Sequence, residues 1–120
     1  MAYLHDCSIL HRDIKPPNIL VNHQPLVVGA PFVVALSDFG CSREILPLGL
    51  QQAPEQPMTP KMGTHYYRAP ELLMGQTYAL PSDVWSTGIT SVEVEQGHPP
   101  FQTETEFKLV RELFLTVGGR

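Results

Sequence analysis

The sequence predicts a mainly α-helical α+β fold carrying short β hairpins, and three observations predict it. Past residue 69, apolar residues recur at helical spacing between recognisable start and stop signals. Before residue 38, the apolar residues fall in short runs rich in Ile and Val, punctuated by Gly, Pro and Asn. Between 38 and 68 lies a stretch rich in Gly, Pro and Gln, with Gln51-Gln52-Ala53-Pro54-Glu55-Gln56-Pro57 at its centre. Such a composition buries too little apolar surface to fix itself, so it reads as a long loop, functional in one state and disordered in another.

The elements follow in order. Residues 1 to 8, with Ala2, Tyr3 and Leu4, read as the tail of a helix, too short to stand alone in water. Ile9-Leu10 and Ile19-Leu20-Val21 are short strand-like runs. The turn-like Asn22-His23-Gln24-Pro25 leads to Leu26-Val27-Val28, then Gly29-Ala30-Pro31, then Phe32-Val33-Val34-Ala35-Leu36, which suggests two strands folded on each other. Ala69 to Met74 forms a short helix with Pro70 near its start and Gly75 at its end. A longer helix, about 82–96, enters at Pro81-Ser82 with Ser82 as N-cap and stops at Gly97-His98-Pro99-Pro100. A third, about 104–117, takes Thr103 as N-cap, with Glu104 and Glu106 in its first turn. Its residues Phe107, Val110, Phe114 and Val117 make one apolar face, expected to be plain core packing.

Composition sets bounds on function. A chain of 120 residues holds one small domain with a modest core. Charged residues are 17% of the chain, below the roughly 25% of ordinary soluble domains. The net charge of −4 gives no electrostatic reason to expect nucleic acid or an acidic membrane as partner. The longest apolar run, Leu26 to Leu36, is broken by Gly29 and Pro31 and falls short of the roughly 20 residues that span a bilayer. Met1 to Asp6 shows no basic segment followed by an apolar one, so no secretory signal is expected and a cytoplasmic or nuclear location is. Cys7 and Cys41 match no metal-ligand spacing and are expected to be reduced thiols.

The chemistry concentrates in His11-Arg12-Asp13-Ile14-Lys15-Pro16-Pro17-Asn18, just ahead of a strand. A carboxylate such as Asp13 accepts the proton of an attacking hydroxyl, an ammonium such as Lys15 neutralises charge on a migrating phosphoryl group, and an amide oxygen such as that of Asn18 holds a metal. Two adjacent prolines fix φ and stiffen the loop. The residues alone leave a polar turn ahead of a strand as the other interpretation. Three further motifs follow in order: Asp38-Phe39-Gly40, Ala69-Pro70-Glu71 and Asp83-x-Trp85-Ser86-x-Gly88.

With these four motifs in order the chain resembles a eukaryotic serine/threonine protein kinase, H-R-D-x-K-x-x-N being that family's catalytic loop. The resemblance covers nearly the whole chain and implies a protein-kinase-like large lobe, incomplete at both ends. A partial domain over 1–120 then holds a catalytic loop at 11–18, a metal-binding and activation segment at 38–71, and the two later helices. By the family's pattern Asp13 is the catalytic base, Lys15 contacts the transferring phosphate of ATP, Asn18 and Asp38 hold Mg2+, and Leu20 lies under the adenine. The same pattern stacks His11 on Phe39 and has the Thr64 hydroxyl bridge the aspartate and lysine. It also has Asp83 accept from backbone amides of the catalytic loop. Glu71 has no obvious mate, its usual arginine partner lying further along than residue 120.

Tyr66-Tyr67-Arg68 directly before Ala-Pro-Glu resembles the cyclin-dependent and mitogen-activated group (CMGC). That implies a protein substrate with serine or threonine followed by proline, contacts from Arg68 to substrate, and a cyclin-like activator. Thr59 stands where that branch carries an activating phosphothreonine, and Arg12 and Arg43 match the arginines that grip it. Three features depart from the pattern, the first being Tyr66, where the family usually has tryptophan. Asp13 and Asp38 lie 25 residues apart, which points to an insertion within 22–36 or to a gene-model artefact. The Gly-rich loop, the small-lobe lysine and its glutamate partner are absent, so the nucleotide has a floor and no lid. Three kinds of protein fit: a piece of a serine/threonine kinase inactive alone, a catalytically silent binding or decoy module, and a non-functional truncated product.

Overall fold

The computed structural model describes residues 1–22, 33–45 and 64–118. In chain order they form helix α1 (Ala2–Asp6), strand β1 (Ile9–Leu10), strand β2 (Ile19–Val21), strand β3 (Val34–Leu36), strand β4 (Arg43–Glu44), and helices α2 (Pro70–Leu73), α3 (Leu80–Gln96) and α4 (Glu106–Thr116). Three 3-10 turns, Pro16–Asn18, Phe39–Cys41 and Thr64–Tyr67, fill the connections. The α+β expectation holds for these residues. Helix dominates the second half, and the first half has two antiparallel two-stranded sheets.

One sheet pairs β1 with β4, placing Ile9 opposite Glu44 and Leu10 opposite Arg43. The other pairs β2 with β3 in the register Ile19–Leu36, Leu20–Ala35 and Val21–Val34. Strand β3 therefore finds its partner in Ile19–Val21, whereas Leu26–Val28, the partner expected from sequence, lies outside the described residues. The two ladders clamp the loop between β1 and β2 from both ends. Its geometry is thus set by β3 and β4, far along the chain.

Helix α3 begins two residues before the expected entry. Ala79 is its N-cap, Leu80 and Pro81 form its first turn, and Ser82 is a helical residue, not the cap. Proline suits a first turn because that turn's N–H has no intrahelical partner. The helix stops at Gly97, whose φ of +84° only glycine adopts freely. Unusually for a long helix, much of its buried face is polar: Ser82, Asp83, Ser86 and Thr90 lie beside Ile89. The hydroxyls of Ser86 and Thr90 reach the carbonyls of Ser82 and Ser86 at 3.1 and 2.8 Å, so burial leaves them satisfied.

Helix α4 starts at Glu106 with Thr105 as N-cap, its hydroxyl accepting from the Lys108 amide at 3.3 Å. Thr103, the expected cap, is buried and donates its hydroxyl to the Thr105 carbonyl instead. The apolar core consists of Ile89, Phe101, Leu109 and Leu113, with Tyr67, Leu73 and Trp85 packed against it. The expected face of α4 is thereby corrected. Leu109 and Leu113 enter the core, while Phe107 is 81% exposed and Phe114 and Val117 are also exposed. Val110, Phe114 and Val117 line an open apolar groove of about 270 Å³ against Pro70 of α2 and Met74, which caps that helix.

Candidate functional site

The site is built around a buried carboxylate. Asp83, in the first turn of α3, has no solvent exposure. Its Oδ2 accepts from the His11 amide at 2.8 Å and its Oδ1 from the Arg12 amide at 2.9 Å. The Tyr78 hydroxyl donates to Oδ1 at 3.0 Å, and His5 Nε2 stands 3.4 Å from Oδ2. Such bonds are strong because one partner is charged and water is excluded. They hold a conformation the backbone disfavours: Arg12 has φ +72°, a region that costs a residue with a Cβ about 1–3 kcal/mol. The Arg12 side chain is buried, its guanidinium 5.5 Å from the centre of the Tyr78 ring.

From that anchor the loop presents its polar groups. Lys15 Nζ lies 3.0 Å from Asp13 Oδ2, both side chains being largely shielded from solvent. Asn18, itself buried, donates through Nδ2 to the Asp13 carbonyl at 2.7 Å and to Asp13 Oδ2 at 3.1 Å. Asp13, Lys15 and Asn18 thus converge on one carboxylate. With its nitrogen engaged by Asp13, Asn18 has its amide oxygen as the remaining acceptor.

Asp38 reaches this loop through Ser37. The Ser37 amide and hydroxyl both donate to the Asn18 carbonyl, at 2.8 and 3.0 Å, and the Ser37 carbonyl meets His11 Nε2 at 3.0 Å. Sequence reasoning passed over Ser37; its position directly before Asp-Phe-Gly was the available signal. Asp38 takes φ +61° and accepts from the Gly40 amide at 3.3 Å. A Cβ on Gly40 would stand 3.2 Å from Asp38 Oδ1, so the turn favours glycine there. The His11 and Phe39 rings meet edge to face, centroids 4.9 Å apart at 69°.

The remaining expected residues fall elsewhere. Leu20 lies on β2 with its side chain 55% exposed. Arg43 is exposed on β4 and donates to the Ser42 carbonyl at 2.9 Å. Arg68 bonds Glu106 at the start of α4 at 3.0 Å. Thr64 opens the 3-10 turn that ends at Tyr67, and Thr59 lies outside the described residues. Glu71, expected to lack a mate, has one: the buried Ser82 hydroxyl donates to its Oε1 at 2.8 Å. Tyr67 donates to Glu93 at 2.6 Å, and burial first, then the Glu93 carboxylate, push its phenol well above the ordinary range. Burial first, and then the charge of Asp83, push Tyr78 in the same direction.

A carboxylate flanked by an ammonium and an amide, tied through a serine to a second carboxylate, is the equipment of a phosphoryl-transfer protein. The family model described as "Protein kinase domain" matches residues 1–117, and the chain belongs to the protein kinase family. It is 36% identical over 119 residues to a probable cell division protein kinase of Encephalitozoon cuniculi, covering 98% of this chain and 33% of that protein. Cyclin-dependent kinase G-2 of Oryza sativa subsp. japonica is 37% identical over 119 residues, 98% of this chain and 15% of that protein. A MAP kinase kinase of Saccharomyces cerevisiae, MKK1/SSP32, is 41% identical over 104 residues, 87% of this chain and 18% of that protein. The chain spans a third or less of the length of these relatives.

Proposed function

We propose that this chain is the large-lobe portion of a serine/threonine protein kinase and that the His11–Asn18 loop carries phosphoryl transfer from ATP to a protein hydroxyl. One observation carries the proposal: Asp13 Oδ2 is held by Lys15 Nζ at 3.0 Å and Asn18 Nδ2 at 3.1 Å, on a loop tethered to the buried Asp83. In this scheme Asp13 orients the substrate hydroxyl and takes its proton as oxygen attacks the γ-phosphorus. Lys15 offsets charge on the transferring group, and Leu20 supports the adenine. Thr64 steadies Asp13 and Lys15 through its hydroxyl.

Asn18 and Asp38 are the residues that would hold Mg2+. Their donors, an amide oxygen and a carboxylate, are the hard oxygens that ion takes. Among the described residues no group of three or more His, Cys, Asp or Glu could hold a metal. Two protein ligands suffice for an ion that also binds phosphate and water. When bound, it neutralises charge on the β- and γ-phosphates.

The Tyr67-Arg68-Ala69-Pro70-Glu71 sequence and the cyclin-dependent relative favour a substrate serine or threonine followed by proline and a cyclin-like activator. Thr59 is then an activating phosphosite read by Arg12 and Arg43. The test is transfer of labelled phosphate to serine, threonine and proline-directed peptides by the full protein containing this chain. Asp13→Asn should lower kcat roughly 10²–10⁴-fold with little change in nucleotide affinity. Equal activity of wild type and variant would overturn the assignment. Unmodified Thr59 in cell-derived protein, with full activity of Thr59→Ala, would remove the phosphosite.

A further inference from the structure

The donor that completes the Asp83 site comes from neither the loop nor the helix. It is Tyr78, in the segment between α2 and α3, five residues before the carboxylate it bonds. Asp83 has two oxygens to share among His11, Arg12, His5 and Tyr78. Oδ1 takes the Arg12 amide at 2.9 Å and the Tyr78 hydroxyl at 3.0 Å. Oδ2 takes the His11 amide at 2.8 Å, with His5 Nε2 at 3.4 Å. With the Tyr78 hydroxyl in place, turning the carboxylate away from the Arg12 amide breaks two bonds at Oδ1 instead of one.

The same ring also meets the other end of Arg12, the guanidinium lying 5.5 Å from its centroid. Arg12 is thus held at its amide through Asp83 and at its side chain by the ring, while its φ of +72° resists both. Its neighbours are His11, stacked on Phe39, and Asp13, bonded to Lys15 and Asn18. A relaxation at Arg12 therefore moves the carboxylate at which the chemistry is placed.

We propose that Tyr78 is a positioning residue for phosphoryl transfer, its hydroxyl fixing the Asp83 carboxylate and its ring fixing Arg12, so that together they set the His11–Asn18 loop. This rests on the reading of that loop as the transfer site. A phenol is already protonated in the neutral range, and burial and the adjacent carboxylate push Tyr78 further the same way, so the hydroxyl is a donor at working pH. Tyr78→Phe removes the hydroxyl and keeps the ring; Tyr78→Leu removes both. A third variant, Leu113→Ala, loosens the apolar core without touching the loop.

The experiment is amide hydrogen exchange at His11 and Arg12, paired with kcat and KM for ATP, in the full protein. Tyr78→Phe should exchange roughly ten-fold faster at these two amides and lose roughly ten-fold in kcat at unchanged KM, the scale of one charge-assisted bond. Tyr78→Leu should go further on both. Leu113→Ala should lower the melting temperature at least as much as Tyr78→Phe and leave both loop readouts as in wild type. Unchanged exchange at His11 and Arg12 in Tyr78→Phe, or an equal rise in Leu113→Ala, would overturn the proposal. A wild-type protein that transfers no phosphate would overturn the functional reading and the kinetic half of this proposal, while the exchange comparison would still decide whether Tyr78 sets the loop.

Discussion

The first turns of α3 and its middle are buried in different ways. At its N-terminal end, Ser82, Asp83 and Ser86 are buried by hydrogen bonding: Asp83 gathers the loop amides and Tyr78, Ser82 serves Glu71, and Ser86 donates to the Tyr67 carbonyl at 2.7 Å. At mid-helix, Ile89, the one buried apolar side chain of α3, packs against Phe101, Leu109 and Leu113. The comparison teaches where precision comes from. Apolar contact is roughly proportional to area and tolerates small shifts, whereas a hydrogen bond weakens steeply outside a narrow range of distance and angle. The turns of the helix that hold the loop are buried through polar bonds. Ile89, which meets α4, is buried by apolar contact.

The sharpest way to break this contrast is Asp83→Ala. Stripping the His11 and Arg12 amides of their acceptor should cost about 2–6 kcal/mol, at about 1–3 for each buried donor. Transfer activity should fall further than stability explains, as urea unfolding alongside kcat would reveal. Leu109→Ala, in the apolar core that Ile89 joins, should cost about 2–5 kcal/mol by leaving a cavity. Its loop exchange should remain that of wild type, and loop disorder there would erase the distinction between the polar anchor and the apolar core.

A smaller effect is expected at high pH. Tyr67 and Tyr78 both keep their protons in the folded state beyond the ordinary tyrosine value of about 10, so the folded chain binds more protons than the unfolded one above that pH. Their contribution is fully present below pH about 10 and falls as pH rises past it. Denaturant midpoints at successive alkaline pH values should drop, and Tyr78→Phe should flatten the slope more than Tyr67→Phe, whose phenol is less buried. Smallest of all, Phe107→Ser should shift stability by no more than about 0.5 kcal/mol, the side chain being 81% exposed. A larger loss would mean that Phe107 belongs to the core after all.

Much of the candidate site was legible beforehand, because its spacing is local. Asp13, Lys15 and Asn18 sit within one short loop, so the groups that meet at Asp13 Oδ2 are neighbours in sequence, although β3, β4 and Asp83 set the loop's shape. The Asp83 contacts with the loop amides and the His11–Phe39 stack were implied by family resemblance and are present. Ser37, Tyr78 and the Ser82–Glu71 bond were not foreseen, since each depends on two segments approaching in space. The α4 error has a similar origin. Val110 and Phe114 have the same spacing as Leu109 and Leu113, one position around the helix, and periodicity alone does not say which stripe faces inward.

By itself, then, the sequence determined the element types, the stop at Gly97, and the placing of acid, cation and amide within one short loop. These are governed by neighbours along the chain through φ, capping and periodicity. Only the tertiary structure decided that β3 pairs with β2, that Leu109 and Leu113 fill the core, and that Tyr78 and Ser37 complete the site. Those outcomes turn on which surfaces exclude water together and which donor is nearest a buried acceptor.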